Sequence, residues 1–362
     1  MEEKKMKDFK FSVVDIERKY TTEYNDTENY AGSGPIQWGK DNQLPNLLLN
    51  CYKQSATLKS SIDGMVAYIL GNKIDINPGA AKFKDTVNRR GETMDDLVGA
   101  IALDYCIFGG FAIQVIYNKL GEVSELYALD FAKCRRNGDL DKILYSKKGW
   151  GKYTGKYEAY DVFNRADLDL EKGSQIFYYK GNSRKIYPSP MWEGALRDVL
   201  TEIECSKYAL NAVSNGFQAK YLIDFKDAGN LTDEQKELIE KAIKDKFCNP
   251  DNEVNFMLHY GDGTNGVEVK KIETDDAPEK YIAIKDNARA NIFTALRTSP
   301  LLAGLSVANT GFSTQEFSDS FKLYSTTVIA PIQKIIVRSL DKILGADTCV
   351  TFEQFTIDFE QK

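Results

Sequence analysis

At 362 residues with 43% hydrophobic side chains, the chain can bury a substantial core, and its length allows two or three domains. A net charge of -6 excludes the broad basic surface with which a tight, sequence-specific nucleic-acid binder neutralises phosphates. Its single histidine, His259, all but removes zinc hydrolases, Ser-His-Asp enzymes and Cys-His proteases, and in the run NFMLHY it reads as an ordinary strand residue.

The N-terminus, MEEKKMKDFKF, is charged and lacks an apolar core, so it is no secretion signal. Residues 1–45 read as an arm in which only Phe11 to Ile16 suggests a strand. WGKDNQLP leads into a helix from about Asn46, carried by Leu47, Leu48, Cys51, Leu58, Ile62 and Met65, and AYILGNKIDI reads as a strand. Thr93 is placed to cap a helix over Met94–Phe108. Ala100 to Tyr117 is the sole membrane candidate. It contains Asp104, is broken at Gly109-Gly110, and falls short of the roughly 20 continuous apolar residues a span needs, so it reads as a helix, a glycine turn and the strand FAIQVIY. The runs VSELYALD, ILYSKK, YEAYDVF and QIFYYKG then alternate with glycine turns, which with the preceding helices makes an α+β domain. The many tyrosines read as half-buried sheet positions, since no basic residues interleave with them to make a base-stacking platform.

SRKIYPSP reads as an irregular hinge before a helix over Met191–Ser214, whose stripe is Leu196, Val199, Ile203, Ser206 and Leu210 and whose expected stop is Asn215-Gly216. After the strand AKYLIDF, Thr232 and Gln235 form a capping box for a helix that buries Leu238, Ile239, Ala242, Ile243 and Phe247 and stops at Asn249-Pro250. The strands VNFMLHY and GVEVKKI flank GDGTNG and complete a small β-α-β-β module. A helix from about Pro278 to Arg297 follows, with Tyr281, Ile284, Ala288, Ile292 and Ala295 in its stripe, and Pro300 is expected to end it. From Phe317 the three-and-four spacing runs through Phe321, Tyr324, Val328, Ile332, Ile335, Leu340 and Ile343, a long helix that Ser313 or Thr314 would cap. Pro331 should kink it by removing a hydrogen bond at a cost of about 3 kcal/mol. The tail CVTFEQFTIDFEQ alternates like a last strand able to join the first domain's sheet.

Six cysteines lie far apart with no Cys-x-x-Cys pair, as expected of reduced, mostly buried thiols. There is no GxxxxGK[ST], HExxH or GxSxG. The adjacent acids Asp95-Asp96 and Asp275-Asp276 point to different faces and suit helix caps better than a shared metal, so no metal, no cofactor and no catalytic residue is expected. In a chain that is 28% charged, the eighteen residues TSPLLAGLSVANTGFSTQ between Thr298 and Gln315 carry no charge. Taken alone that stretch reads as a partly disordered connection or a loop packed on the core.

The order of segments resembles a tailed-bacteriophage portal protein, the head-tail connector. The residues that carry the likeness are WGKDNQLP, then IYPSPMWEGAL opening a helix that ends at Asn215-Gly216, then ANIFTALRTSPLLAG and EFSDSFKLYSTTVIAPIQKIIVRSLDKIL. The likeness covers about 150 residues closely and the whole order of elements loosely. The resemblance implies an N-terminal arm at 1–45, an α+β wing at 46–185, stem helices at 186–216 and 276–300 and a clip at 217–275. It also implies a tunnel loop at 301–314, a long kinked helix at 315–345 and a C-terminal strand at 346–362, with a reduced or missing crown. It implies a ring, typically of twelve copies, at the capsid vertex of the virion, assembled in the host bacterial cytoplasm, through which double-stranded DNA passes. Expected partners are the terminase large subunit, the major capsid protein and head-completion or tail adaptors, and no membrane.

The residues suit such a conduit. Each neutralised phosphate adds affinity, so a ring through which DNA slides cannot grip it, and an uncharged constriction avoids that brake. The expected tunnel-loop residues are Gly304, Leu305, Ser306, Val307, Ala308, Asn309, Thr310, Gly311 and Phe312. On the preceding helix Lys280, Lys285, Arg289 and Arg297, beside Glu279 and Asp286, suit either phosphates or ion pairs between subunits. Two other classes stay open at this stage: a metal-dependent DNA-processing hydrolase, and a capsid-associated oligomeric adaptor without a DNA channel.

Overall fold

The computed structural model describes residues 33–39, 41–151, 156–181, 184–214, 220–227, 231–247, 256–260, 262–272, 278–303 and 314–355. Its elements are, in chain order, α1 (Leu44–Gln54), α2 (Ala56–Leu70), β1 (Lys73–Ile76), α3 (Met94–Phe108), β2 (Phe111–Tyr117), β3 (Val123–Leu129), β4 (Cys134–Arg136), β5 (Lys142–Tyr145), β6 (Glu158–Asp161) and β7 (Ser174–Tyr179). Then come α4 (Leu196–Ser214), β8 (Lys220–Asp227), α5 (Asp233–Phe247), β9 (Phe256–Tyr260), β10 (Asp262–Ile272), α6 (Pro278–Ala295), α7 (Thr314–Tyr324), α8 (Ala330–Leu344) and β11 (Val350–Glu353). The fold is α+β, as expected. The described residues form two compact units, one drawn from Met1–Lys53, Ile62–Met191 and Asn309–Lys362, the other from Gln54–Ser61 and Trp192–Ala308.

In the first unit an antiparallel sheet runs in the order β3-β2-β7, and a second runs β4-β5-β6. α3 packs on β2 and β3 and is held by its cap: the Asp96 amide donates to the Thr93 hydroxyl at 3.2 Å while the Thr93 amide donates to the Asp96 carboxylate at 2.9 Å. That exchange satisfies two amides that every helix start leaves over. Gly109, at φ +81, closes the helix, and a Cβ on Gly109 or Gly110 would collide with the Ser189 or Tyr179 carbonyl. The apolar run 100–117 is therefore the helix, turn and strand expected of it. No helix among the described residues is long and apolar enough to cross a membrane.

Other expectations need correction. The helix expected from Asn46 is two helices, broken because the Ser55 hydroxyl accepts the Leu58 amide at 3.0 Å and starts α2 afresh. Ala67–Leu70 belongs to α2, leaving only Lys73–Ile76 as strand, and β11 pairs with this β1 instead of the main sheet, in the register Lys73↔Glu353 to Ile76↔Val350. β4 was too short to show a pattern. Phe11 to Ile16 lies outside the described residues.

Two of the four motifs that carried the resemblance, WGKDNQLP and IYPSPMWEGAL, meet in this unit. Trp38, 1% exposed, stacks on Tyr187 at 4.6 Å with the rings 4° from parallel, and meets the edge of Phe131 at 5.5 Å. Tyr187 donates to the Ile36 carbonyl at 2.6 Å and accepts the Arg136 amide at 3.1 Å. Arg135, also 1% exposed, lies between the Trp38 and Trp150 rings. It donates to the Asn42 side chain and carbonyl at 2.6 and 3.1 Å and to the Ala132 and Cys134 carbonyls, each at 2.8 Å. Burial lowers the guanidinium to about 10, yet its donors are spent on oxygens, which makes the buried charge tolerable. Tyr187, within the irregular segment that precedes the boundary between the two units, is thus part of the core of the first.

Helical backbone continues from α7 through a π-helical turn at Ser325–Ile329 into α8. The turn lies immediately before Pro331, and the Thr326 and Thr327 hydroxyls donate to the Lys322 and Leu323 carbonyls at 2.8 and 2.7 Å. α8 ends at Gly345, φ +68, where a Cβ would fall on the Arg165 guanidinium. Cys51, Cys106, Cys134 and Cys349 are buried thiols outside any disulfide, and burial pushes Cys51, Cys106 and Cys349 up to about 12.

In the second unit α4 and α6 run antiparallel. The Asn291 amide donates to Asp198 at 2.8 Å, and further along Tyr208 stacks on Tyr281 at 4.5 Å. Strands β8, β9 and β10 form a sheet in the order β10-β8-β9, where β8 and β9 are parallel and joined by α5, and β10 is antiparallel on the other edge of β8. The β-α-β-β order is as expected, but GDGTNG makes no hairpin: Asp262 is already in β10, which crosses to the far side of β8. Thr232 and Gln235 form the expected capping box, with contacts of 3.0 and 3.4 Å. Leu238, however, is 66% exposed and Ala242 is exposed, because α5 turns Lys236 and Ile239 toward the sheet, where the Tyr260 hydroxyl donates to the Lys236 carbonyl at 3.4 Å. His259 is a strand residue, its Nδ1 2.9 Å from Asp224 Oδ1 on the neighbouring strand.

Candidate nucleic-acid interface

The candidate interface is α6 together with the uncharged segment C-terminal to it. α6 buries Ala288, Ile292 and Phe293, and the turn after it buries Leu296, so the polar residues of the helix are confined to the remaining arc. Arg289 is half-buried and pairs with Asp286 at 3.3 Å one turn earlier; Lys285 is half-buried beside it. Arg289 is therefore engaged within its own helix. The Lys280 side chain lies outside those the structure describes, as do Gly304 to Phe312.

Pro300 does not end α6. The Arg297 amide donates to the Thr294 carbonyl and the Thr298 amide to the Phe293 carbonyl, both at 3.1 Å, which is the double bond of a left-handed helix cap, and Pro300 instead opens a short 3-10 turn at Pro300–Ala303. The residue in the left-handed position, φ +54, is Arg297, where glycine is usual. A guanidinium is thus held, exposed, at the last turn before the uncharged stretch.

Sequence patterning missed a buried anchor near the start of the second unit. Glu202 of α4, 3% exposed, accepts the hydroxyls of Ser55 and Thr57, the latter at 2.6 Å. Since Ser55 caps α2, the carboxylate sits at the positive end of that helix. The pairing spans 147 residues, and the only local hint was a glutamate inside an apolar stripe.

An open cleft of about 890 Å³ in the first unit is lined by Asp141, Asp161, Arg165, Asp167, Asp169, Lys172 and Lys342. Lys172 pairs there with Asp161 at 2.9 Å and with Asp169 at 3.2 Å. Among the described residues no three His, Cys, Asp or Glu side chains are placed to hold a metal ion.

The family model described as phage portal protein matches residues 73–360. The chain belongs to the phage portal protein family. Among solved structures, it is similar to the neck of an empty gene transfer agent particle with C6 symmetry, at 15% identity and a TM-score of 0.60 over 90% of this chain and 88% of that one. It is similar to the neck of the native particle with C12 symmetry, at 14% identity and 0.57 over 87% and 83%. A portal protein of the HK97 family from Corynebacterium diphtheriae aligns at 11% identity and 0.51 over 81% and 89%. A search of curated proteins by sequence finds no match. These likenesses establish a portal-type fold for this chain.

Proposed function

We propose that the chain is one wall segment of a portal ring at the vertex of a virion, through which duplex DNA passes during packaging and ejection, and that it performs no chemistry. The observation that carries this reading is the family match together with a fold shared over nine-tenths of the chain with a particle neck. In this reading residues 46–185 are the wing, α4 and α6 the stem, the β8–β10 module the clip, Gly304 to Phe312 the tunnel loop and β11 the closing strand. Twelve copies make the ring, the clip meets the terminase large subunit and later the head-completion or tail adaptors, and the wing faces the major capsid protein. Pro331 and the π turn before it bend the long helix to the curvature of the ring.

The electrostatics support a conduit over a grip. Of the stem cations whose side chains are described, Arg289 is already paired, and Arg297 is held out by its own backbone next to the neutral stretch. DNA affinity should therefore be weak, indifferent to sequence and steeply salt-dependent. Titrating the assembled protein with labelled duplexes of several sequences, at 50 and 200 mM salt, tests this. Nanomolar, sequence-selective binding that survives the higher salt would contradict it.

A further inference from the structure

The described residues include thirteen large hydrophobic side chains that are markedly exposed, and five of them lie on two short stretches of α4 and α6: Tyr208, Leu210, Tyr281, Ile282 and Ile284. In this part of the second unit the two helices pack on each other through the Tyr208–Tyr281 stack. A helix pair with water on its outer sides should show charged residues there. Leu210 instead extends the stripe of Leu196, Val199 and Ile203 beyond the point where that stripe is buried, and is 65% exposed. Ile282 is 61% and Ile284 48% exposed. Successive residues turn about 100° around an α-helix, so side chains two apart stand on nearly opposite sides. The pair thus offers apolar surface on both flanks.

We infer that these flanks are the ring contact: the side of α6 that carries Ile282 in one copy meets the side that carries Ile284 in the next. The inference rests on the ring reading given above. The occupant is a second copy of this chain because a closed ring is built from heterologous contacts, in which every copy must present two different sticky faces. One isoleucine on each side of a single helix meets that requirement. A partner bound once would need only one face, and apolar patches of this kind are rarely left wet in a finished assembly.

The test is complementation between Ile282→Asp and Ile284→Asp, with Leu120→Asp, in the exposed β2–β3 turn, as control, each followed by mass photometry and by thermal melting. Wild type and Leu120→Asp should form rings. Each isoleucine variant should melt like wild type at concentrations where neither assembles, but need about tenfold or more protein to assemble, because every contact in its ring is spoiled. A 1:1 mixture of the two variants should yield dimers and nothing larger, since only one intact seam can form. If a variant melts early, Ile282→Ser and Ile284→Ser replace the pair. Variants that form rings as readily as wild type would overturn this surface and leave the ring reading standing; a wild type that stays monomeric at every concentration would overturn both.

Discussion

Two aromatic stacks of nearly identical geometry sit in very different places. Trp38 on Tyr187, at 4.6 Å, is enclosed by Phe108, Phe131 and Arg135 in the first unit, while Tyr208 on Tyr281, at 4.5 Å, joins two helices in the second with both rings about two-fifths exposed. The first is closed within the chain: the Tyr187 hydroxyl and the Arg135 guanidinium are hydrogen-bonded to neighbours, while the buried Trp38 indole N–H has no hydrogen-bond partner among the described residues. The second leaves apolar surface uncovered.

Breaking the comparison gives the largest effect. Trp38→Ala should cost about 3–5 kcal/mol in urea denaturation by opening a cavity in a closed core, whereas Tyr208→Ala should cost no more than about 1 kcal/mol in the unassembled chain. Similar losses for the two would erase the distinction. Glu202→Ala should cost about 1–3 kcal/mol, because the buried Ser55 and Thr57 hydroxyls lose their acceptor; Glu202→Asp, too short to reach both, should recover only part of it.

Asp104 sharpens the picture of the first unit. Burial, then the neighbouring Asp130, holds its carboxyl well above the ordinary value of 3.8. The folded state thus resists its ionisation, and stability falls as pH climbs from the unfolded value through the folded one. Asp104→Asn should raise the melting temperature at neutral pH and make no gain below the unfolded carboxylate value; a gain of equal size at both pH values would contradict this. The smallest expected effect is at the end of α6. Arg297→Gly should stabilise the chain by about 0.5–1 kcal/mol, relieving a left-handed arginine, while reducing the salt slope of DNA binding. A loss of stability would show that the Arg297 side chain holds the fold.

Periodicity and caps revealed much of this fold, because they are local. Thr93–Asp96, Thr232–Gln235 and the Gly109 turn needed only neighbouring residues to be legible. What escaped was set at long range or by competition. The α1–α2 break turns on a serine whose partner carboxylate is on α4, the crossing of β10 to the far edge of β8 leaves no trace in spacing, and Arg297 ends a helix ahead of the proline expected to do so. Leu238 and Ala242 had the spacing of a buried stripe, but the small sheet takes a different side of α5. Of the candidate interface, the helix itself was legible in the sequence, expected over Pro278–Arg297 and found over Pro278–Ala295, as was the absence of charge in the stretch after it. The ion pair of Arg289 and the strained backbone of Arg297 required coordinates.

A reconstruction of the purified protein by electron microscopy is the most direct test that these copies line a passage. The account predicts a closed ring with an open centre and Gly304 to Phe312 at its narrowest point. A stable monomer, a disc with no hole, or a ring with that segment on its outer wall would contradict it.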